Sequence, residues 1–391
     1  MLAVYLSPVY IIVNIYLLMR IHKWLGACSP LFRRKGMRVG ISLIYVFLAA
    51  SMLIAFFLPA GPARRVMKWI SNEWFGVLLY LLFVVLMADL ICLLHFLLTR
   101  RRFPCSKAVL GGICAAAVLV LCTWGIKNAR IIRVTPYEIA IDKNGGIFES
   151  LNVVLISDLH LGYNIGTAHM RQMADRINEQ NADLVVIAGD IFDNEYEALD
   201  DLEELIAIFR SIQSNYGIYA CYGNHDVEEK ILAGFTFGGG KKKESSLQMD
   251  AFLEEAGIHL LRDEAVLIAD SFYLYGRPDA QRPGRGIEQR KTAAELTERL
   301  DMEKPVLVLD HEPREFQELA DAGVDVDLCG HTHDGQMFPA NLITALLWEN
   351  SYGYLKKDSM HTIVTSGVGL FGPDMRVGTI AEICPIQVRF R

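Results

Sequence analysis

Four apolar runs crowd the first third of the chain: Leu2 to Met19, Val39 to Leu58, Trp74 to Leu98 and Ala108 to Ile126. They constrain what this sequence can fold into more than any other feature. A helix crosses a bilayer with about 20 apolar residues, because hydrocarbon offers no partner to an unpaired backbone amide. All four runs meet or nearly meet that length, which predicts transmembrane helices over about 2–19, 39–58, 74–98 and 108–126. Charge divides at the same place. Residues 1–126 hold 13 Lys and Arg against two acids, Glu73 and Asp89, a net of +11, whereas the remainder holds 25 against 43, a net of −18. With 52% hydrophobic residues the chain is too apolar for intrinsic disorder, and its acidic second part excludes a basic nucleic-acid binder. A cleaved signal is not expected, since no positive charge precedes the first run and three more spans follow it.

Loop charges give an orientation. The loops after spans one and three carry ten Lys and Arg, from Arg20 to Arg38 and from Arg100 to Lys107, against six on the opposite side. The positive-inside rule then puts both termini, and the acidic domain, outside the cytoplasm. Asp89 lies inside the third span, where an ionised carboxylate is costly. With only His95 near at helical spacing, a neutral or packed Asp89 is expected rather than a transport pathway. Of eight cysteines, five lie in or beside the apolar third, and Cys221, Cys329 and Cys384 lie beyond it; none forms a C-x-x-C pair. They read as small buried hydrophobes rather than a disulfide or zinc framework.

After Ile126 short apolar runs alternate with amphipathic segments, an α/β pattern. Strands are predicted over Leu151–Ser157, Asp183–Gly189, Gly217–Tyr222, Val306–Leu309 and Val326–Cys329, and helices over Thr167–Gln180 and Ala198–Ser214. Polar residues cluster where each strand ends. Asp158 and His160 follow the first strand, Asp190 the second, and Asn224, His225 and Asp226 the third; Asp310 and His311, then Gly330 to His333, follow the last two. Ligands collect at the carboxyl ends of strands in α/β sheets, so five such loops make a site.

The residue types indicate its chemistry. Imidazole, carboxylate and amide donors without a thiolate suit divalent transition ions. Asp158, His160, Asp190, Asn224, His311, His331 and His333 are seven candidate ligands, too many for one catalytic site and suited to two ions sharing a carboxylate. A pair of that kind can carry a bridging hydroxide near neutral pH, which implies hydrolysis of a phosphate ester.

In order and interval, Asp158-Leu-His160, Gly189-Asp190-Ile-Phe-Asp193, Gly223-Asn224-His225-Asp226, His311 and Gly330-His331-Thr332-His333 resemble the calcineurin-like metallophosphoesterases. The similarity runs from Leu151 to the carboxyl terminus. There Thr365–Leu370 and Arg376–Ile383 look like the closing strands of the family's membrane-associated bacterial branch, the YkuE/YaeI-like group. The resemblance implies an α/β sandwich of two β-sheets flanked by helices over 151–391. The all-α four-helix transmembrane region of 1–126 precedes it, with 127–150 as linker and first strands. It further implies that Asp158, His160 and His333 hold one ion, that Asp190 bridges, and that Asn224, His311 and His331 hold the other. His225 would bind substrate with Asn224 and serve the scissile phosphate as general acid or electrostatic partner, with Asp226 orienting it. Where the family usually has Gly after the last histidine this chain has Asp334, read as a neighbour of the ligands rather than one of them.

The remaining polar features read more plainly. His22, His169, His259 and His361 stand alone and read as surface or core residues. Asp193 fits either a contact to a ligand or a helix cap. Lys241 to Lys243, in a Gly-rich loop over Gly234–Ser246, read as a solvated charge run with contact to anionic lipid or phosphate as the alternative. Arg277, Asp279, Arg282 and Arg285 could edge the pocket. The sequence thus predicts a multi-pass cell-membrane phosphoesterase holding two divalent ions, manganese foremost with Fe, Zn or Co as alternatives. Its substrate would be a phosphorylated lipid or cell-envelope component, with soluble phosphomonoesters or nucleotides, or a non-catalytic scaffold, as the competing readings.

Overall fold

The computed structural model describes residues 2–229, 231–232, 235–236 and 245–391. They form two compact units, one built on residues 2–127 and the other running from Asn128 to Arg391 apart from two short segments.

In the first unit the apolar runs become α1 (Leu2–Cys28), α2 (Lys35–Phe57), α3 (Pro62–Thr99) and α4 (Lys107–Ala129), four helices long and apolar enough to cross a membrane. Two outrun their apolar stretches. α3 starts twelve residues early at Pro62, which the first turn tolerates because its missing amide would be unpaired there anyway. α1 continues through Arg20 to Cys28, and this decides how Asp89 is packed. Arg20 pairs with the Asp89 carboxylate, whose other oxygen accepts from the Tyr16 hydroxyl at 2.5 Å. Asp89 is therefore packed against α1 through an ion-pair contact; its partner lies 69 residues away and leaves no trace at helical spacing. Leu17, Tyr45, Leu78 and Val85 form the unit's small buried core, while Ile12, Leu43, Leu119 and Val120 stay exposed, a surface suited to lipid rather than water.

The second unit is a four-layer α/β sandwich. One sheet takes the order β1 (Ile132–Val134), β15 (Ala381–Phe390), β3 (Ser150–Ile156), β4 (Leu184–Ala188), β5 (Ile218–Cys221), β8 (Ile258–Leu260), with β2 (Tyr137–Ile141) also on β15. The other runs β13 (Gly353–Lys357), β14 (Met360–Val364), β12 (Val326–Cys329), β11 (Val306–Leu309), β10 (Phe272–Gly276), β9 (Glu264–Ile268). A separate ribbon pairs β6 (Ile231–Leu232) with β7 (Phe235–Thr236).

Alternation along each strand builds the layers. In β3, Leu151, Val153 and Leu155 face the core between the sheets, where Leu307, Leu328 and Ile363 of the second sheet also pack. Val154 and Ile156 face outward onto α5 (Thr167–Asn178), α6 (Leu202–Arg210) and α7 (Leu247–Glu255), with Met173, Phe209 and Phe252 in the same cluster. Val306 and Val308 do the same for the second sheet, meeting Leu296 of α8 (Ala293–Thr297) and Leu319 of α9 (Phe316–Asp321). Strands covered on both faces read as continuous apolar runs, which is why they were legible.

Three expectations change. The helix predicted over Ala198–Ser214 is only α6, because the Asp201 carboxylate caps it at 3.1 Å from the Glu204 amide. Thr365–Leu370 is irregular backbone rather than a closing strand, and the strand expected from Arg376 starts at Ala381. All eight cysteines are free, but only five are buried; Cys28 is exposed and Cys92 and Cys105 are half-buried. Lys241, Lys242 and Lys243 lie outside the described residues.

Leu155→Ala opens a cavity between the sheets, where Leu155 is fully buried. It should cost about 2–5 kcal/mol. Leu247→Ala, at an exposed site, should change stability by less than about 0.5 kcal/mol. Thermal denaturation of the full chain in detergent compares the two.

Candidate metal centre

β3, β4 and β5 are parallel neighbours in one sheet and β11 and β12 in the other, so their carboxyl ends open on one side. The five loops leaving them carry the predicted donors. Backbone geometry there is unusual: Asp158, His160, Asp190, His331 and His333 all have positive φ, between 47° and 73°. Side chains other than glycine avoid this region, and such strain persists only where the surroundings over-determine it, most often at functional sites. Glycines make room for these bends. A Cβ on Gly330 would collide with Ser157 and the Asp158 carboxylate, and one on Gly223 with Asp190.

Three groups of donors result, two made of predicted ligands and a third that joins His160 and His225 to Asp193. Asp158, His160 and His333 offer atoms within 4.8 Å of one another, as do Asp190, His311 and His331. In the first, His160 Nε2 and His333 Nε2 are 3.0 Å apart, with Asp158 Oδ1 at 3.5 Å from the latter. In the second, His311 Nε2 and His331 Nδ1 are 3.1 Å apart, and Asn224 Oδ1 lies 3.0 Å and 2.9 Å from them. Asp190 faces both: its Oδ2 is 3.2 Å from His311 Nε2 and 3.8 Å from His160 Nε2. All seven predicted ligands are thus brought together.

The donor set fits divalent cations. His311 donates Nδ1–H to the Ala188 carbonyl at 2.8 Å, which turns Nε2 toward the cluster. Burial holds His333 well below the usual imidazole range and His331 down to about 3, with the nearby charge of His311 adding to the effect at His331, so both are neutral and ligand-ready. Burial also acts on His160 and His311, but carboxylates reverse it: Asp193 and Asp190 raise the first, and Asp190 with Asp158 raises the second. Facing nitrogen lone pairs at 3.0–3.1 Å need a proton or a cation between them. Nitrogen and oxygen donors without sulfur suit Mn, Fe, Zn or Co.

His225 sits beside the donors, with ring centroids 5.1 Å from His160 and 4.7 Å from Phe371, and burial lowers its pKa to about 4. Its Nδ1 bonds Asn194 Oδ1, which corrects the expectation for Asp226. The Asp226 carboxylate instead accepts from the Phe192 amide at 2.9 Å and the Gly223 amide at 2.7 Å, bracing two loops. Burial, with the charge of Asp190, pushes it up to about 7. Asp193 is not a helix cap; its Oδ1 faces His160 Nδ1 at 3.8 Å. Asp334 falls outside all three donor groups, and burial raises it to about 6.

Arg277 and Asp279 are turned into the fold rather than edging the pocket as expected. Arg277 is fully buried, 2.7 Å from both Asp310 and Glu315, and Asp279 Oδ1 accepts from the amides of Gln281 and Arg282. Arg282 alone reaches the site, donating to the Asn224 carbonyl at 2.5 Å. The lone histidines are structural: His169 bonds the Val368 carbonyl, His361 the Tyr354 hydroxyl and the Ala140 carbonyl, His22 the Ser42 hydroxyl, and His259 lies against Tyr219. Sequence reasoning missed Asn194, Glu312 and Arg376. Glu312 Oε1 is 3.5 Å from His331 Nε2, and the buried Arg376 donates to the His333 carbonyl at 3.4 Å.

The sequence profile of the calcineurin-like phosphoesterases matches residues 151–335, the segment that carries all the donors described above. The chain carries a calcineurin-like metallophosphoesterase domain. That similarity supports a phosphoric ester hydrolase. Over 98% of its length it is 28% identical to a Danio rerio transmembrane protein with metallophosphoesterase domain, covering 88% of that relative. It is also 26% identical, over 70% of its length, to the metallophosphoesterase YkuE of Bacillus subtilis, covering 91% of it.

Gly330→Ala tests whether close packing sets the donor geometry of the phosphoesterase domain. Its Cβ would displace Asp158. The variant should lose most of its bound metal, read by elemental analysis, and melt at a lower temperature; unchanged metal content would show that Asp158 need not sit against Gly330.

Proposed function

We propose that this chain is a membrane-anchored phosphoesterase whose domain holds two divalent ions and faces the outside of the cell. The observation that carries the reading is Asp190, a buried carboxylate within 3.8 Å of a donor nitrogen in each of two ligand groups. Asp158, His160 and His333 would hold one ion and Asn224, His311 and His331 the other, with Asp190 shared. When bound, such a pair supplies Lewis acidity toward phosphoryl oxygens and a water of lowered pKa; manganese is the foremost candidate.

The protein's own groups do the rest. The His225 amide donates to Asp190 Oδ1 at 2.7 Å, fixing that loop against the shared carboxylate. Asn194 Oδ1 accepts from His225 Nδ1–H, which orients the ring; Nε2 would serve the leaving oxygen once it too carries a proton. Phe371 packs on the same ring and keeps water from one face. Arg282, held by Glu229 at 3.4 Å, positions the loop of Asn224 through its carbonyl.

Four apolar helices and the excess of Lys and Arg in two of the loops support the anchor and its orientation. A reporter fused after Arg391 that works only in the cytoplasm should therefore stay silent; an active one overturns the topology.

Elemental analysis of the purified full chain should find about two equivalents of divalent metal, and His331→Ala should retain about one. His225→Asn should keep both and lower kcat on p-nitrophenyl phosphate by about 10²-fold or more. A His225→Asn protein that loses metal instead would make His225 a ligand, and a metal-loaded wild type without hydrolysis of any phosphomonoester or diester would leave only the scaffold.

A further inference from the structure

Directly after the last ligand loop the chain forms α10 (Ala340–Leu347), an eight-residue helix without a buried residue. Leu346 is 86% exposed and Leu347 75%, with Leu342 and Ile343 beside them above half. From Phe338 to Trp348 there is no charged residue. An apolar helix left open in this way is a docking surface, and its two flanks identify what it docks on.

At its carboxyl end stands Trp348, an aromatic of the kind that settles at membrane interfaces, edge-on to the candidate ligand His331 at 5.2 Å. The Arg314 guanidinium lies over the same indole at 4.3 Å and pairs with Glu312 at 3.0 Å, a cation beside an interfacial aromatic. At the amino end of α10, the Phe338 amide donates to the Val377 carbonyl at 2.7 Å, and the Thr379 hydroxyl donates to the Gln336 carbonyl at 2.7 Å. The same segment receives the start of the catalytic unit. Asn128, in the last turn of α4, donates its amide to the carbonyls of Arg376 at 3.0 Å and Thr379 at 2.9 Å. Residues 376–379 therefore tie the root of α10 to the residue where the fourth apolar helix ends.

We propose that α10 inserts into the bilayer surface and forms an apolar lip beside the metal centre, so that the site takes phosphoesters of amphiphiles whose tails remain in the membrane. The substrate half of this statement rests on the phosphoesterase reading above; the docking half does not. Four helices of the same chain are long and apolar enough to bring it to a bilayer, which favours lipid over a second copy as the occupant.

Two experiments on the full-length chain in phosphatidylcholine and phosphatidylglycerol nanodiscs decide it. The first replaces Leu346 by p-benzoylphenylalanine, with Leu267, an exposed residue of β9, as the control position. Irradiation should give lipid adducts at Leu346 at least tenfold above the control. Equal yields, or capture by this chain's own helices or by a second copy, overturn the docking whether or not the protein is active. The second changes Leu342, Ile343, Leu346 and Leu347 together to Gln and compares p-nitrophenyl phosphate with hexadecyl phosphate in the same discs. Hydrolysis of the alkyl ester should fall at least tenfold while the soluble ester changes less than twofold. Equal losses, or a wild type that cleaves the alkyl ester no faster than the soluble one, overturn the amphiphile assignment. A wild type inactive on both strikes the phosphoesterase reading, and the cross-linking result then stands by itself.

Discussion

Buried carboxylates need a counter-charge, and the catalytic unit provides it in two different ways. Asp310 is fully buried and meets Arg277 at 2.7 Å and Arg290 at 3.1 Å, an arrangement in which guanidinium groups neutralise the charge permanently. One residue further along, His311 turns toward Asp190, another buried carboxylate. Among the described residues, no Lys or Arg comes within ion-pair distance of Asp158 or Asp190; both are surrounded by imidazoles. Burial keeps His331 and His333 neutral, so the counter-charge to Asp158 and Asp190 falls to His160 and His311, whose pKa values those carboxylates raise. The buried guanidinium beside this site, Arg376, is spent on backbone carbonyls instead. That asymmetry separates a site prepared for cations from a structural ion-pair network.

Holding the donors in place requires backbone that ordinary residues resist. Five of the candidate ligand positions adopt left-handed φ, each worth of order 1–3 kcal/mol in strain. The two-sided cores under β3, β4, β11 and β12 offset this, since every strand that ends in a ligand is buried on both faces. A stable sandwich is thus a precondition for the centre and not merely a scaffold that happens to carry it.

The same logic explains what could be read in advance. Ligands follow strands, strands buried on both sides are apolar runs, and so Asp158, Asp190, Asn224, His311 and His331 announced themselves by position. Contacts without a local pattern did not. Asn194 orients His225 from 31 residues upstream, and nothing in Asp193-Asn194-Glu195 signals it. Asp226 looked like the orienting group because it is adjacent in sequence, yet in a tight turn its carboxylate is spent on the amides of Gly223 and Phe192. Thr365–Leu370 has strand composition, but Gly367 and Gly369 press against Asp158 and Leu159 there, and that approach needs irregular backbone. Arg20 and Asp89 found each other only because α1 outlasted its apolar run.

Arg376 shows how far the consequences of one such unsignalled residue extend. Its guanidinium is buried and donates to the carbonyls of Ser366, Gly367 and Gly369 at 2.6, 3.2 and 2.9 Å, which closes the irregular loop around Asp158. Burial, only partly offset by Asp158 and Glu382, lowers its pKa to about 10, still well above neutrality, so it keeps its charge. The same side chain reaches the His333 carbonyl, and its own carbonyl accepts from Asn128. Asn128 also accepts from Arg133 at 2.8 Å, completing a path of hydrogen bonds from the end of α4 to a ligand of the first donor group. A catalytic fragment cut after α4 would leave the carbonyls of Arg376 and Thr379 without these partners. Asn128 at the start of this unit is therefore part of the hydrogen-bonded structure that shapes His333.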